Sequence, residues 1–523
     1  MNTNSRTQNS AINLVVNIVY QIFITLITFF SRRVFISTLG INYLGLSGLF
    51  DSIFSVLSLT ELGISGAITY SMYKYIAEDN KRMLSALTAY YKKLYNRIAI
   101  IVGIIGIAIL PFLKYLINLD ENIDNIKVYY LLILANTVLS YLFVYKTTIV
   151  SADQRGYRLK IATSIIETMK LVTQILVLYL FKDYLIYQLV WITFTVGGNV
   201  LRSRLAQKWY PFIEDKVELE ISEKKSIWYN IRSMFYYQIG GVIMNHTDNI
   251  LISVLVNTTM VGLYSNYYML FRKLDLTADL IFSSITASVG NLNVTATKEQ
   301  KYFIFRVFMM VAFVFFALCS IELYFVAEDV IMTMVQKHSL LLPKEILIIG
   351  VTYFFVSGMC FPCGTFRTTT GLFRLAKYSM LTASILNIVL SIILGLKFGL
   401  FGIIFASLIS RLATNIWYEP LLLYRKFFDE KVHKYYLTQI FRTILVIVMV
   451  IILAPVINLI TIEHLYIRIL VKAVIVFAFS GTVLFLLFFK TKEFKFLYDR
   501  FMHVFLKSLS KIFKKTDSDI AND

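Results

Sequence analysis

Charge, proline and cysteine are all scarce in this chain, and each shortage closes off a class of protein. Charged residues fill 16% of its 523 positions, against roughly 25% in soluble domains, too few to clothe an ordinary globular surface. Only 6 prolines interrupt it, which leaves long stretches free to run as unbroken helix. The 3 cysteines, Cys319, Cys360 and Cys363, all fall in apolar stretches, so a disulfide-stapled scaffold is excluded. Cys360-Phe361-Pro362-Cys363 has redox-motif spacing but no βαβ context, and it reads as packing beside a proline kink. The 5 histidines are scattered, without HExxH or other metal-ligand spacing, and no GxxxxGK[ST] phosphate loop is present.

What fills the chain is apolar residue, 58% of it. Ile98–Leu110, Val446–Ile460 and Ile469–Phe489 are near or at membrane-spanning length and almost free of charge. No soluble core absorbs so many such runs, and the fold class is an all-α integral membrane protein. Fourteen spans are expected, at about 12–39, 45–73, 83–113, 128–150, 160–181, 184–205, 230–256, 260–292, 302–327, 346–371, 375–396, 399–424, 436–459 and 466–490. Several exceed the roughly 20 residues that cross hydrocarbon, so they tilt or project beyond it. No cleavable signal is expected, because the polar start Met1–Ser10 leads straight into a long span.

A net charge of +19 invites a nucleic-acid partner, but its distribution points to topology instead. With both termini cytoplasmic, inner segments hold 37 of the 51 Lys and Arg, and outer loops hold only 7. The longest polar stretch, Gln207–Tyr229, separates lobes at 1–206 and 230–427, with 207–229 a cytoplasmic linker. Six spans per lobe bring both lobes in from the same side, which implies a pseudo-two-fold axis along the membrane normal. Two further spans lie within 428–490, and 491–523 forms a basic tail. From Tyr498 to Lys515 that tail reads as an interfacial helix drawn to anionic membrane lipids, with Thr516–Asp523 disordered.

Internal echoes support two lobes. Arg32–Leu39 returns as Asp248–Leu255, and Gly45-Leu46 returns as Gly262-Leu263; Tyr145–Thr148 returns as Phe366–Thr369. At an offset of 216, Arg32 falls on Asp248 and Arg33 on Asn249, so packing residues are kept while charge changes. Spans one and seven facing each other would set a basic wall against an acidic one.

Cations at depth form the functional shortlist, since intramembrane charge is costly unless it faces protein or water. Arg32 and Arg33 lie in span one, Arg272 and Lys273 in span eight, and Arg411 in span twelve. Each arginine suits a phosphate or carboxylate, because its planar fork can engage two oxygens at once. One of Arg32 and Arg33 points away from lipid, since helical neighbours stand about 100° apart; an arginine snorkelling to the interface is the alternative. Asp275 and Asp279 share a face with Arg272, either as a self-neutralising network or as the lining of a wet cavity. Glu167 and Lys170 most simply neutralise each other. Asp51, Glu61 and Asp248 lack a sequence-local cation, and with Asp275 and Asp279 they are ion-coupling candidates beside the packing alternative. No cofactor or metal site is called for; Na+ or H+ is the candidate coupling ion.

Leu39–Leu46 leading to Glu61-Leu62-Gly63-Ile64 resembles the first two spans of polysaccharide-exporting flippases, and Asp248-Asn249-Ile250 followed by Val261–Ser265 resembles the start of their second lobe. These belong to the multidrug/oligosaccharidyl-lipid/polysaccharide (MOP) exporter superfamily. The resemblance implies a V-shaped, MATE-like pair of six-helix lobes plus two C-terminal helices, in a bacterial cytoplasmic membrane. It implies flipping of a lipid-linked oligosaccharide by alternating access, with cavity arginines on the diphosphate, and a polysaccharide polymerase as partner machinery. A small-molecule or multidrug antiporter of the same superfamily is the alternative, and a membrane glycosyltransferase or polysaccharide polymerase the competitor from another class. Short outer loops without clustered acids weigh against an enzyme.

Overall fold

The computed structural model describes residues 3–61, 64–119, 121–153, 155–214, 217–370, 372–499 and 502; for some helical stretches, 3–18 and 283–295 among them, it describes the backbone alone. Among the described residues there is no strand. The helices are α1 (Thr3–Leu39), α2 (Ile41–Leu57), α3 (Ile64–Ala77), α4 (Lys81–Ile109), α5 (Leu113–Leu116), α6 (Ile126–Ala152), α7 (Gly156–Phe181), α8 (Tyr184–Trp209) and α9 (Ile221–Leu255). They continue as α10 (Thr258–Thr295), α11 (Lys298–Val335), α12 (Lys344–Met359), α13 (Phe361–Thr369), α14 (Phe373–Ala413), α15 (Asn415–Leu423), α16 (His433–Asn458) and α17 (Leu465–Phe488). The all-α membrane architecture expected from hydropathy is the one adopted. The expected amphipathic tail lies almost wholly outside the described residues.

Among the described residues, ten stretches are long and apolar enough to cross a membrane. One of them, Tyr378–Phe428, runs for 51 residues and takes in the expected span 399–424 and all but the first turn of 375–396. Gly399 separates them with φ 59° and ψ −136°, a conformation that favours glycine. Asn387 Nδ2 and Ser407 Oγ then meet at 2.8 Å, although 20 residues of straight helix would part them by about 30 Å. The chain therefore doubles back, and α14 is a hairpin of two arms. The expected spans 45–73, 230–256 and 260–292 coincide with α2–α3, α9 and α10. Span 45–73 is broken after Leu57, where Ser58 Oγ donates to Phe54 O (2.9 Å) and shares a hydrogen bond with the Tyr141 hydroxyl (2.9 Å). Such a side chain competes with the helical ladder and bends it.

Two compact units are present. Unit 1 holds residues up to 285 with 328–353 and 372–418; unit 2 holds 286–327, 354–371 and the chain from 419 onward.

In unit 1, α2 crosses α10 at a pair of glycines. A Cβ on Gly45 would stand 2.0 Å from Thr258 O, and one on Gly262 would stand 2.5 Å from Ile41 O. Beside them, Thr259 Oγ1 donates to Asn42 Oδ1 at 2.8 Å, between residues 217 apart. That separation also pairs Gly45-Leu46 with Gly262-Leu263, so each copy of the repeat touches its own counterpart. A residue that meets its equivalent lies at the axis relating the two. The segment after α5 closes the same end: Asn118 N donates to Thr258 Oγ1 (2.9 Å), Asn118 Nδ2 to Val256 O (3.1 Å) and Thr258 N to Asn118 O (2.6 Å).

Unit 2 is organised by aromatic rings. Phe305 contacts Phe428 (centroids 5.0 Å apart) and Phe366 (5.2 Å), and Tyr424 and Tyr435 join the same cluster.

Gly262→Val places a side chain where the α2 backbone passes, and overpacking of this kind costs about 1–3 kcal/mol. The variant is expected to melt well below the parent in detergent, whereas Gly481→Ala, with nothing within 4 Å of its added carbon, melts with the parent. Equal melting of all three proteins would show that the crossing is not a close one.

Candidate functional site

Moving a charge from water into a spanning region is unfavourable unless partners or water replace its hydration. That cost sorts the cations of unit 1 by what surrounds them. Arg33 is half-buried on α1 and has a fitted neutral partner. Gln336, which follows α11 with φ 55°, turns its carboxamide oxygen to Arg33 and accepts from Nε at 3.0 Å and Nη2 at 2.5 Å. This fork holds α1 to the end of α11.

Arg32, one residue earlier, is equally half-buried, yet among the described residues it makes no hydrogen bond or ion pair. None of its nitrogens is a buried, unpartnered atom, so its donors open onto solvent-accessible space. Asp51 on α2, which is exposed, and Tyr187 on α8 lie within its electrostatic range. Rings crowd this place: Phe35 packs on Tyr187 (5.1 Å), Tyr184 stacks with Tyr187 (6.1 Å, 14°), and Tyr43 leans on Tyr184 (5.0 Å). The arrangement is a cation and an anion spaced apart and walled by tyrosines.

The second group lies on α10 and the returning arm of α14. Arg272 and Asp279 are exposed, while Lys273 and Asp275 are half-buried. Arg272 and Arg411 fall within electrostatic range of Asp275, but no ion pair joins Arg272 to either aspartate among the described residues. The residues share a face, as their spacing requires, with room between them. Arg411 Nη2 donates to Tyr353 Oη (3.2 Å) and its guanidinium lies 5.3 Å from that ring's centre. Lys170 and Glu167, by contrast, form a direct ion pair on α7.

Asp248 on α9 lies in a third environment. Ser407 Oγ donates to Asp248 Oδ2 (2.8 Å), and Asn387 Nδ2 donates to Ser407 Oγ (2.8 Å). Asp248 Oδ1 and Asn387 Oδ1 are buried acceptors with no donor, a costly state unless a proton or cation completes it. Next along α9, Asn249 Nδ2 donates to Ser52 Oγ (3.0 Å), so Asp51 and Asp248 flank one crossing of α2 and α9. The Glu61 side chain lies outside the described residues. No group of three or more His, Cys, Asp or Glu is gathered among the described residues.

Sequence reading overlooked Gln336, Tyr187, Tyr353, Asn387 and Ser407. Asn387 had a signal: Ser384, Asn387 and Ser391 recur at helical spacing in one apolar arm, and all are fully buried. Arg367, within the expected span 346–371, is buried in unit 2 and paired with buried Glu419.

Removing one partner of such a pair typically costs about 3–5 kcal/mol, while replacing both by apolar residues is often neutral. Glu419→Ala should thus sharply lower thermal stability, and the Arg367→Met/Glu419→Leu double variant should recover most of it. A double variant no better than the single one would mean that the pair is not the source of the loss.

No family model and no curated protein matches the chain. Its fold is nevertheless shared with solved transporters. An inward-facing MATE family multidrug resistance transporter of the MOP superfamily superposes with a TM-score of 0.61 at 12% identity, over 78% of this chain and 97% of that one. Lipid II flippase MurJ, in an inward closed conformation, gives 0.61 at 15% identity over 91% and 99%. A MOP superfamily transporter from Pyrococcus furiosus, described as having a binding pocket of reversed polarity, gives 0.57 at 11% over 80% and 95%. The chain has the fold of MOP superfamily transporters.

Proposed function

We propose that this chain flips a polyprenyl-diphosphate-linked oligosaccharide from the cytoplasmic to the outer leaflet of a bacterial membrane, by alternating access, for cell-surface polysaccharide assembly. The observation that carries this reading is Arg32: a cation at depth, open to solvent, with no competing contact among the described residues. A diphosphate and its sugars lose their hydration in hydrocarbon, and a guanidinium fork restores part of it with charge-assisted bonds. The surrounding tyrosines offer flat faces to sugar rings. The flippase superposition spans 91% of the chain, where the inward-facing multidrug transporter spans 78%; helices beyond two six-span lobes fit the longer match.

Alternating access requires an end that closes and reopens. The Gly45–Gly262 crossing with its Asn42–Thr259 and Asn118 contacts supplies a closed end, outermost under the topology read from the positive loops. Asp248 supplies the coupling chemistry. Its orphaned oxygen, with that of Asn387 and the hydroxyl of Ser407, suits a proton or Na+, either of which would neutralise the carboxylate. Asp51 and Asp279, exposed acids of the same unit, favour a second reading in which a cationic small molecule is exchanged for that ion.

Leaflet-resolved labelling of lipid-linked sugars in proteoliposomes tests the choice. Arg32→Gln should weaken flipping by about 10- to 100-fold, the span of one strong charged hydrogen bond, with expression and melting unchanged. Normal flipping by that variant sinks the anion-site reading, and export of cationic dyes abolished by Asp51→Asn would install the antiporter in its place.

Asp248→Asn should remove the dependence of transport on an imposed Na+ or proton gradient while leaving substrate affinity near that of the parent. Retained gradient dependence would dismiss Asp248 as the coupling group.

A further inference from the structure

Unit 2 contains a cavity of about 470 Å³, lined from α11, the π-helical turn Tyr424–Phe428, α16 and the end of α17. Three cations face it, Arg306, Lys434 and Arg442, against two acids, Glu430 and Glu493. Glu493 is buried and engaged by Arg306, and Glu430 is exposed. The lining thus holds one cation more than it holds acids, and Arg442, although within electrostatic range of Glu493, forms no ion pair with it. Its Nη1 donates to Met309 O (3.3 Å), its guanidinium lies 5.1 Å from the centre of the Phe313 ring, and no carboxylate pairs with it among the described residues. One turn earlier on α16, Gln439 Nε2 is buried and has no acceptor. A donor and a cation at i,i+3 thus point at one place, and what they lack is an anionic oxygen.

The surface beside the cavity says what kind of anion. On its other faces α16 is exposed and apolar, with Leu437, Phe441, Ile444, Val448 and Ile451 open to the surroundings, as a lipid-facing helix requires. Next in sequence to the lining residues Tyr424, Glu430, Thr491 and Glu493 come Arg425, Lys426, Lys431, Lys490 and Lys492, a run of cations of the kind that draws phosphate headgroups. Phosphate chemistry inside and hydrocarbon chemistry outside, on one helix, match an amphiphile with a phosphate head.

We propose that this cavity binds the phosphate group of an anionic membrane lipid, held by Arg442, Lys434 and the Gln439 amide, with the acyl chains laid along the apolar side of α16. The site is independent of the cargo: it is built wholly within unit 2, and it stands or falls without reference to Arg32 or to what is transported.

The full-length protein in neutral detergent is titrated with fluorescent phosphatidylglycerol, with phosphatidylcholine and inorganic phosphate as competitors. Phosphatidylglycerol should bind at least tenfold tighter than phosphatidylcholine, and Arg442→Gln should erase that preference. Lys434→Gln alters an exposed side chain and leaves folding intact, so it should weaken phosphatidylglycerol by severalfold at unchanged melting. Equal affinity for the two lipids, or an unaltered preference in both variants, overturns the proposal. Displacement of phosphatidylglycerol by inorganic phosphate at equal concentration also overturns it, since the cavity would then serve a free anion.

Discussion

Two glycines that meet across a pseudo-two-fold axis constrain the rest of unit 1. Helices in lipid gain little from the hydrophobic effect and associate through close packing and interhelical hydrogen bonds. Without side chains at Gly45 and Gly262, the backbones of α2 and α10 approach until Cβ atoms would collide. That closeness brings Asn42 to Thr259 and the Asn118 segment to the start of α10. It also fixes where α2 goes next. Seven residues beyond Gly45, about 10 Å along the helix, Ser52 reaches Asn249, and the two acids Asp51 and Asp248 come to lie on either side of the contact.

The internal repeat gains meaning from this geometry. Its second residues, Arg33 and Asn249, both do positional work, one gripping Gln336 and the other Ser52. Its first residues, Arg32 and Asp248, are the charged pair whose chemistry is incomplete among the described residues: Arg32 makes no hydrogen bond there, and one oxygen of Asp248 is buried without a donor. The duplicated segment keeps a division of labour, then, while inverting the charge. Opposite signs at equivalent places allow one unit to bind an anion and a cation without either group neutralising the other.

Hydropathy and the placement of Lys and Arg made the spans legible, because the bilayer imposes both rules on every crossing segment. The reversal at Gly399 was legible too, since Lys397 and a glycine interrupt an otherwise apolar run. The break after Leu57 was not, for it depends on Tyr141, a partner 83 residues away. The choice between Arg32 and Arg33 was equally hidden: helical periodicity shows that the two diverge, but not that Gln336 waits for one of them. The pairing of Arg367 was hidden for the same reason, because its partner Glu419 lies 52 residues on.

Where strong and weak interactions are placed separates what holds from what moves. In unit 2 a buried arginine and glutamate are paired directly, and opening such a pair strands a charge at a cost of several kcal/mol. The closed end of unit 1 is made instead from amides, hydroxyls and bare backbone, neutral hydrogen bonds worth about 0.5–1.5 kcal/mol each. A ligand shifts a two-state equilibrium only by its difference in affinity for the two states, a quantity of a few kcal/mol for a handful of charged contacts. A clasp built from salt bridges would lie beyond that reach, and one built from dispersion alone would hold no register. Neutral hydrogen bonds beside a glycine crossing are strong enough to close and weak enough for the proposed diphosphate cargo and coupling ion to open. The charges proposed to supply that difference, Arg32 and Asp248, lie on helices in contact with the α2 that forms the clasp.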